Sequence, residues 1–219
     1  MVLICGIDEA GRGPVLGPMV MAGILIDERD ASRLKSIGVK DSKELSAKKR
    51  ELLFKEITKI VKDYKILIVS VKEIDSALKS QELNLNRLEA IKTSLILNAL
   101  KPDKAILDCP STNPRAYVSY LKLFLKNKEL KIDAGHKYDS KFIEVGAASI
   151  LAKVTRDLQI KKIQMHIKEN IGSGYASDPY TIKFLKNCLN SILENGILNV
   201  KTYFLKDHQN FRQFEKIIQ

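Results

Sequence analysis

The chain has 219 residues, 45% of them hydrophobic, which suits one large packed domain, or one domain with a small appendage. Its formal net charge of +11 argues for an anionic partner, because clustered Lys and Arg release counterions from a phosphate backbone, although a Lys-rich surface also serves solubility. Cys5, Cys109 and Cys188 are far apart and form no C-x-x-C pair, which excludes a disulfide framework and a zinc knuckle; no apolar run reaches about 18 residues, which excludes a spanning helix, and the start MVLICGIDEAG has neither the basic segment nor the cleavage site of a signal peptide. The expectation is a soluble, cytoplasmic protein with no membrane contact.

Residues 2–8 are a β-branched run and predict a buried strand, which Glu9-Ala10-Gly11 closes. Gly11-Arg12-Gly13-Pro14 reads as a turn, and residues 15–26 predict one or two further strands, so the chain opens on an antiparallel meander. Asp41-Ser42-Lys43 falls in a loop. Residues 46–63 follow helical period, with Leu52, Leu53, Ile57 and Ile60 on one face and Ser46 as the N-cap. Residues 66–71 predict a strand, and residues 85–100 a helix that stops before Pro102. Residues 104–109 predict a short strand, 114–126 a helix with Pro in its first turn, and 130–133 another short strand. A long helix is expected over about 142–169, a break at Gly172-Ser173-Gly174-Tyr175, and a helix over 179–194 with Gly196 as its stop. A meander followed by alternating helices and strands implies an α/β or α+β domain with a mixed sheet, with extra helices at the C-terminal end. Cys5 and Cys109 lie in strand-like runs and are expected to be buried thiols.

Three acids end predicted strands: Asp8 and Glu9 the first, Asp108 the run Ala105-Ile106-Leu107-Asp108. Carboxylates that converge at a sheet rim repel one another and raise one another's pKa unless a cation neutralises them. Oxygen-only donors select Mg²⁺ or Mn²⁺ over zinc, and His136, His166 and His208 show no metal-ligand spacing. The opposing reading makes each acid a surface residue or a loop cap. Adjacent strand residues point to opposite faces, so either the backbone bends towards Gly11 and brings Glu9 to the site of Asp8, or Glu9 faces elsewhere. The glycine turn lets backbone N–H groups approach a sugar or phosphate, or is only a turn. Tyr175, which follows the glycines of the loop Gly172-Ser173-Gly174, either stacks on a sugar or base or caps a core. Gly146-Ala147-Ala148-Ser149 with Ala152 gives a small-residue face for close helix packing. Lys153 and Arg156 beyond it face phosphates or solvent.

These residues resemble a family. Asp8-Glu9-Ala10-Gly11-Arg12-Gly13-Pro14 looks like the N-terminal signature of ribonuclease HII, and Lys40-Asp41-Ser42-Lys43 with Leu45-Ser46 is similar to its next block. Ile106-Leu107-Asp108 matches the strand of its third acid. His136-Lys137-Tyr138-Asp139, leading to Ala147-Ala148-Ser149-Ile150-Leu151-Ala152-Lys153-Val154-Thr155-Arg156-Asp157, resembles its long-helix block. Gly172-Ser173-Gly174-Tyr175-Ala176-Ser177-Asp178-Pro179 resembles the late loop of its archaeal-type members. Three positions depart from the pattern: Tyr138 replaces a small residue, Phe142-Ile143-Glu144 a segment commonly bearing proline, and Ala176 a common proline.

The resemblance implies a ribonuclease H-like fold, a five-stranded mixed sheet flanked by helices. Residues 1–170 would be the catalytic domain, and residues 171–219 a C-terminal helical extension forming part of the substrate groove. Asp8, Glu9, Asp108 and Asp139 would be the catalytic acids and hold Mg²⁺ or Mn²⁺. Gly11, Arg12 and Gly13 would contact the ribonucleotide, Tyr175 would help recognise the RNA–DNA junction, and Lys43 would contact a phosphate. The implied reaction is endonucleolytic hydrolysis 5′ to a ribonucleotide, by two-metal-ion catalysis, in RNA–DNA hybrids and in DNA duplexes with embedded ribonucleotides. The implied setting is ribonucleotide excision and primer removal in replication and repair, by a monomer. Gln209-Asn210-Phe211-Arg212-Gln213-Phe214 lacks the spacing of a sliding-clamp motif. Two rivals remain: a resolvase-type nuclease that shares the acids but not the ribose-reading loop, and a non-catalytic module that binds RNA–DNA hybrids.

Overall fold

The computed structural model describes residues 1–40 and 42–195. The chain opens with two strands, β1 (Leu3–Ala10) and β2 (Met19–Asp27), then α1 (Ala31–Ser36), α2 (Ala47–Ile60) and β3 (Asp63–Val69). It continues through α3 (Val71–Lys79), α4 (Leu85–Leu100), β4 (Lys104–Asp108), α5 (Pro114–Lys122) and β5 (Lys131–Gly135). The described part ends with α6 (Tyr138–Lys141), α7 (Ile143–Ile167) and α8 (Pro179–Asn195). The strands form one sheet in the order β3-β2-β1-β4-β5. β1, β2 and β3 are an antiparallel meander, as expected, while β4 and β5 lie parallel to β1. The carboxyl ends of β1, β4 and β5 therefore share one rim, where open α/β sheets place their ligand sites.

Side-chain alternation divides the core between the two faces of this sheet. Cys5, Ile7, Met19, Met21 and Leu25 pack against Ile74 and Ala77 of α3, Ile96 and Leu97 of α4, and Tyr117 and Leu121 of α5. Val20, Ala22, Ile24 and Ile26 pack on the other face against Leu34, Leu53 and Ile57 and against Ala147, Ile150 and Leu151 of α7. The small-residue run of α7 does pack closely: a Cβ on Gly6 of β1 would lie 2.3 Å from the carbonyl carbon of Glu144. Cys5 and Cys109 are buried thiols, as expected.

Local chemistry accounts for the helix boundaries. The Ser46 hydroxyl accepts the Lys49 N–H as the N-cap of α2. Asn84 and Asn113 cap α4 and α5, the latter with Pro114 in its first turn. Several expectations need correction. Residues 15–26 give one strand, within the one or two expected, but it begins only at Met19, because Val15 and Leu16 donate their N–H groups to the Gly174 carbonyl at 2.9 and 3.2 Å instead of to a neighbouring strand. The strand expected over 66–71 ends at Val69, where Ser70 and Glu73 form a capping box and start α3. α2 stops at Ile60 and Asp63 already belongs to β3. α5 stops at Lys122, and Leu52, assigned to the apolar face of α2, is 53% exposed.

Val15, Leu16, Ile160, Ile163, Ile171, Phe184, Leu185 and Cys188 form a separate small core, so the described part of the C-terminal extension packs on the glycine turn and the end of α7. No helix among the described residues is long and apolar enough to cross a membrane. Gly196 and the segment Gln209-Asn210-Phe211-Arg212-Gln213-Phe214 lie outside the described residues, as does Asp41.

Candidate active site at the carboxyl rim of the sheet

Asp8, Glu9, Asp108 and Asp139 line one cavity at this rim, together with Gly11, Arg12, Gly13, Ser42, Lys43, Ser149, Lys153 and Tyr175. Every site residue expected from the sequence is in that set. The cavity measures about 240 Å³, less than the roughly 300–1,000 Å³ of pockets that enclose a whole ligand. Its size suits a sugar and phosphate presented from outside.

β1 keeps regular register to its end, with Asp8 opposite Ala22 and Glu9 opposite Met21. The bend considered for Glu9 is therefore absent. Asp8 points to the α7 face, where the Ser149 hydroxyl donates to it, and Glu9 points to the α4 face beside Glu89. Both reach the cavity because it wraps around the end of the strand. Asp108 ends β4, and its Oδ1 accepts the Tyr138 N–H at 2.8 Å. Asp139 comes from the one-turn α6: the Lys43 ammonium donates to its Oδ2 at 3.0 Å and the Ser140 N–H to its Oδ1 at 3.0 Å.

Burial and like charge act together on these acids. Burial pushes the Asp8 carboxyl up to about 7, and Asp108 and Asp139 add to the rise against the opposing Ser149 hydrogen bond. Glu9 is held well above the usual carboxylate range, first by burial, then by Glu89, Asp8 and Asp108. Asp108 is raised by burial and by Asp139, with the Tyr138 N–H opposing. Among the described residues no three His, Cys, Asp or Glu side chains are gathered tightly enough to cage an ion as they stand. The donor set is nevertheless all carboxylate, and among the described residues its charge is only partly offset, by Lys43, Arg12 and His136. Such a set fits a hydrated divalent cation that keeps most of its waters, rather than zinc.

Two residues make the glycine turn specific. Gly11 has φ +89°, and a Cβ there would lie 2.5 Å from Arg156 Nε and 2.7 Å from the Pro18 carbonyl oxygen. A Cβ at Gly13 would meet nothing within 4 Å, so its face is open. Between them, Arg12 donates from Nε to Glu89 Oε1 at 2.9 Å and from Nη2 to Asn86 Oδ1 at 2.8 Å. Tyr175 is half-buried, and its ring lies against cations instead of capping an apolar core. The Arg156 guanidinium is 4.9 Å and the Lys153 ammonium 5.8 Å from its centroid.

The parts played by Ser149, Arg156 and Glu89 differ from, or are missing in, the sequence reading. Ser149, assigned to helix packing, holds Asp8 and is in turn bonded to Ser42 at 2.9 Å between hydroxyl oxygens. Its spacing to Lys153 and Arg156 put all three on one helix face, a signal that was available. Arg156 itself faces neither phosphate nor solvent; it is fully buried. Glu89 lies inside an apolar helix and had no signal beyond being an isolated acid there. The unusual Tyr138 is accommodated: its ring lies 2.5 Å from where a Cβ on Gly135 would be, and its hydroxyl donates to Asp133 at 3.0 Å.

Comparison with known proteins points to one family. The family described as Ribonuclease HII matches residues 5–201. The chain is 48% identical to ribonuclease HII of Thermococcus sibiricus over 183 residues, covering 83% of this chain and 79% of that one. Its fold is similar to the crystal structure of ribonuclease H2 from Pyrococcus horikoshii OT3, with a TM-score of 0.82, 39% identity and coverage of 99% and 97%. It is also similar to the ribonuclease in a structure of the PCNA:RNase HII complex from Archaeoglobus fulgidus, with a TM-score of 0.82, 34% identity and the same coverage.

Proposed function

The chain belongs to the ribonuclease HII family and is a ribonuclease H endonuclease; we propose that it hydrolyses the phosphodiester 5′ to a ribonucleotide at the acid-lined rim. The carrying observation is that Asp8, Glu9, Asp108 and Asp139 share one cavity with Gly11, Gly13 and Tyr175. Charge chemistry and a ribose-reading surface thus meet at one place.

In this reading the four acids would hold two divalent ions, Mg²⁺ or Mn²⁺, which when bound would supply an activated water and stabilise the leaving oxygen of an in-line displacement. The protein's own part is positional. Ser149 orients Asp8, the Tyr138 N–H orients Asp108, and Lys43 steadies Asp139 until the phosphate arrives. The open face of Gly13 admits the 2′-hydroxyl, the one local mark of a ribonucleotide, to backbone hydrogen bonds. Arg12 is fixed by Glu89 and Asn86 and still 38% exposed, in a position to meet the phosphate. Tyr175 offers its ring to the sugar of the following nucleotide. An extra 2′-hydroxyl fits that face poorly, which favours a deoxynucleotide there. Residues 1–170 act as the catalytic domain of a monomer, and the described part of the C-terminal extension, residues 171–195, forms a wall of the groove; residues 196–219, expected to belong to it, lie outside the described residues.

The test is a substrate panel with and without Mg²⁺ or Mn²⁺. It contains a DNA duplex with one ribonucleotide, a uniform RNA–DNA hybrid, all-DNA duplex and a four-way DNA junction. Metal-dependent cleavage of the first two alone is expected. Junction cleavage would favour a resolvase, and binding without cleavage a non-catalytic module.

A further inference from the structure

Arg156 lies on α7 beneath both substrate-facing loops and is 0% exposed. Among the described residues it makes no ion pair within 4 Å; its hydrogen-bond partners are carbonyls, and a ring lies against it, with Asp157 acting from further away. Nη1 and Nη2 each donate to the Ser173 carbonyl at 3.1 Å, and Nη2 also donates to the Leu16 carbonyl at 3.2 Å. The guanidinium lies 4.9 Å from the Tyr175 centroid, within cation–π range. Its Nε sits directly under Gly11 and, among the described residues, has no hydrogen-bond partner.

This is a poor arrangement for stability. A cation is desolvated with Asp157 acting on it only at a distance, and among the described residues one donor is left unmet. An apolar side chain of similar length would fill the same channel without either penalty. What the guanidinium does, and a hydrocarbon cannot, is tie three points together. It fixes the exit of the glycine turn at Leu16, the late loop at Ser173, and the plane of the Tyr175 ring. The Gly174 carbonyl, which accepts from Val15 and Leu16, adds a second link between the same loops.

We propose that Arg156 is a positioning residue that sets the Tyr175 ring at a fixed distance from the Gly11–Gly13 turn and thereby sets the preference for RNA–DNA junctions. The inference rests on the reading of Tyr175 as the junction contact. Arg156 touches no reacting atom. It acts on selectivity, by holding the ring over the sugar that follows the ribonucleotide while the turn holds the ribonucleotide itself.

The experiment is a double-mutant cycle on a ratio, the cleavage rate of a single-ribonucleotide duplex divided by that of a uniform hybrid. Both rates come from the same enzyme preparation, so any loss of folded protein cancels. Tyr175→Ala is expected to lower the ratio about fivefold or more, the size of one lost stacking contact. Arg156→Met is expected to lower it comparably, and Arg156→Lys, which keeps the charge but not the fork, by an intermediate amount. In the Tyr175→Ala background, Arg156→Met should lower the ratio no further. The melting temperature of Arg156→Met should be at or above that of the parent. An unchanged ratio in Arg156→Met beside a lowered one in Tyr175→Ala would overturn the inference and leave the Tyr175 reading standing. Losses that multiply in the double variant would also overturn it. An unchanged ratio in Tyr175→Ala would remove both.

Discussion

The acid rim and the loops over Arg156 adjoin one another and treat charge in opposite ways. At the rim, Asp8, Glu9 and Asp108 are brought together although burial and mutual repulsion raise all three. Beneath the loops, a single cation is surrounded by carbonyls and an aromatic face that hold it in one orientation. The first region is poised to take up positive charge from outside; the second needs nothing added. Chemistry should therefore fail when the rim is altered, and discrimination should fail when the loops are.

The largest effect tests that division at the rim. Asp8→Asn and Asp108→Asn should each lower kcat by about a thousandfold or more, because on the proposed reading each would remove a charged ligand for the catalytic ions. The metal-free variants should melt at or above the parent temperature, since repulsion is relieved. Single-turnover cleavage and calorimetry read the two; near-normal turnover with Asp108→Asn would misplace the site.

The next prediction separates the two glycines. Gly11→Ala should destabilise the fold by about 1–3 kcal/mol, because the position needs positive φ and abuts Arg156. Gly13→Val should leave stability within about 0.5 kcal/mol and still damage cleavage of single-ribonucleotide and uniform substrates alike, by blocking the backbone approach. Denaturant melts beside cleavage rates would show whether the two glycines differ in this way.

Much of this contrast was legible beforehand, for a physical reason. Acids that end apolar runs are conspicuous, so Asp8, Glu9 and Asp108 stood out from pattern alone. Asp139 did not: it sits on a one-turn helix with no such run before it, and only the family resemblance supplied it. α3 was not legible although Ser70 and Glu73 spell a capping box, because the apolar run of β3, interrupted only by Ser70, continues into its first residue, Val71. Arg156 and Glu89 were hidden more deeply. A charged residue on a helix is normally solvated, and nothing local to either one says that a distant loop will cover it. The path of Glu9 was a question of register, and only the pairing of β1 with β2 could decide it.

A smaller effect concerns pH. With no metal bound, Asp8 titrates near 7 in the folded protein against a usual value of 3.8. Between about pH 4 and 7 the folded state then holds a proton that the unfolded state has lost, so on account of this group stability rises as pH falls through 7. Metal binding requires the carboxylate, so Mg²⁺ affinity should weaken over the same interval. Calorimetric melts and metal titrations at pH 6 and pH 8 should move in these opposite directions, and Asp8→Asn should flatten both.

The smallest expected effect is at Lys43, whose side chain is 79% exposed against the buried Asp139. Lys43→Ala should change stability by less than about 0.5 kcal/mol and reduce the salt slope of hybrid binding by about one. An unchanged slope would remove the phosphate contact assigned to Lys43.

The central claim is that rim carboxylates direct an external water at the phosphodiester on the 5′ side of a ribonucleotide. The most direct test is to map both product ends after cleavage of a duplex carrying one ribonucleotide in Mg²⁺. A cut on the 5′ side leaving 3′-hydroxyl and 5′-phosphate ends, lost on chelation, is the predicted result. A cut on the 3′ side ending in a 2′,3′-cyclic phosphate and persisting under chelation would mean that the ribose hydroxyl is the nucleophile, and would contradict the account.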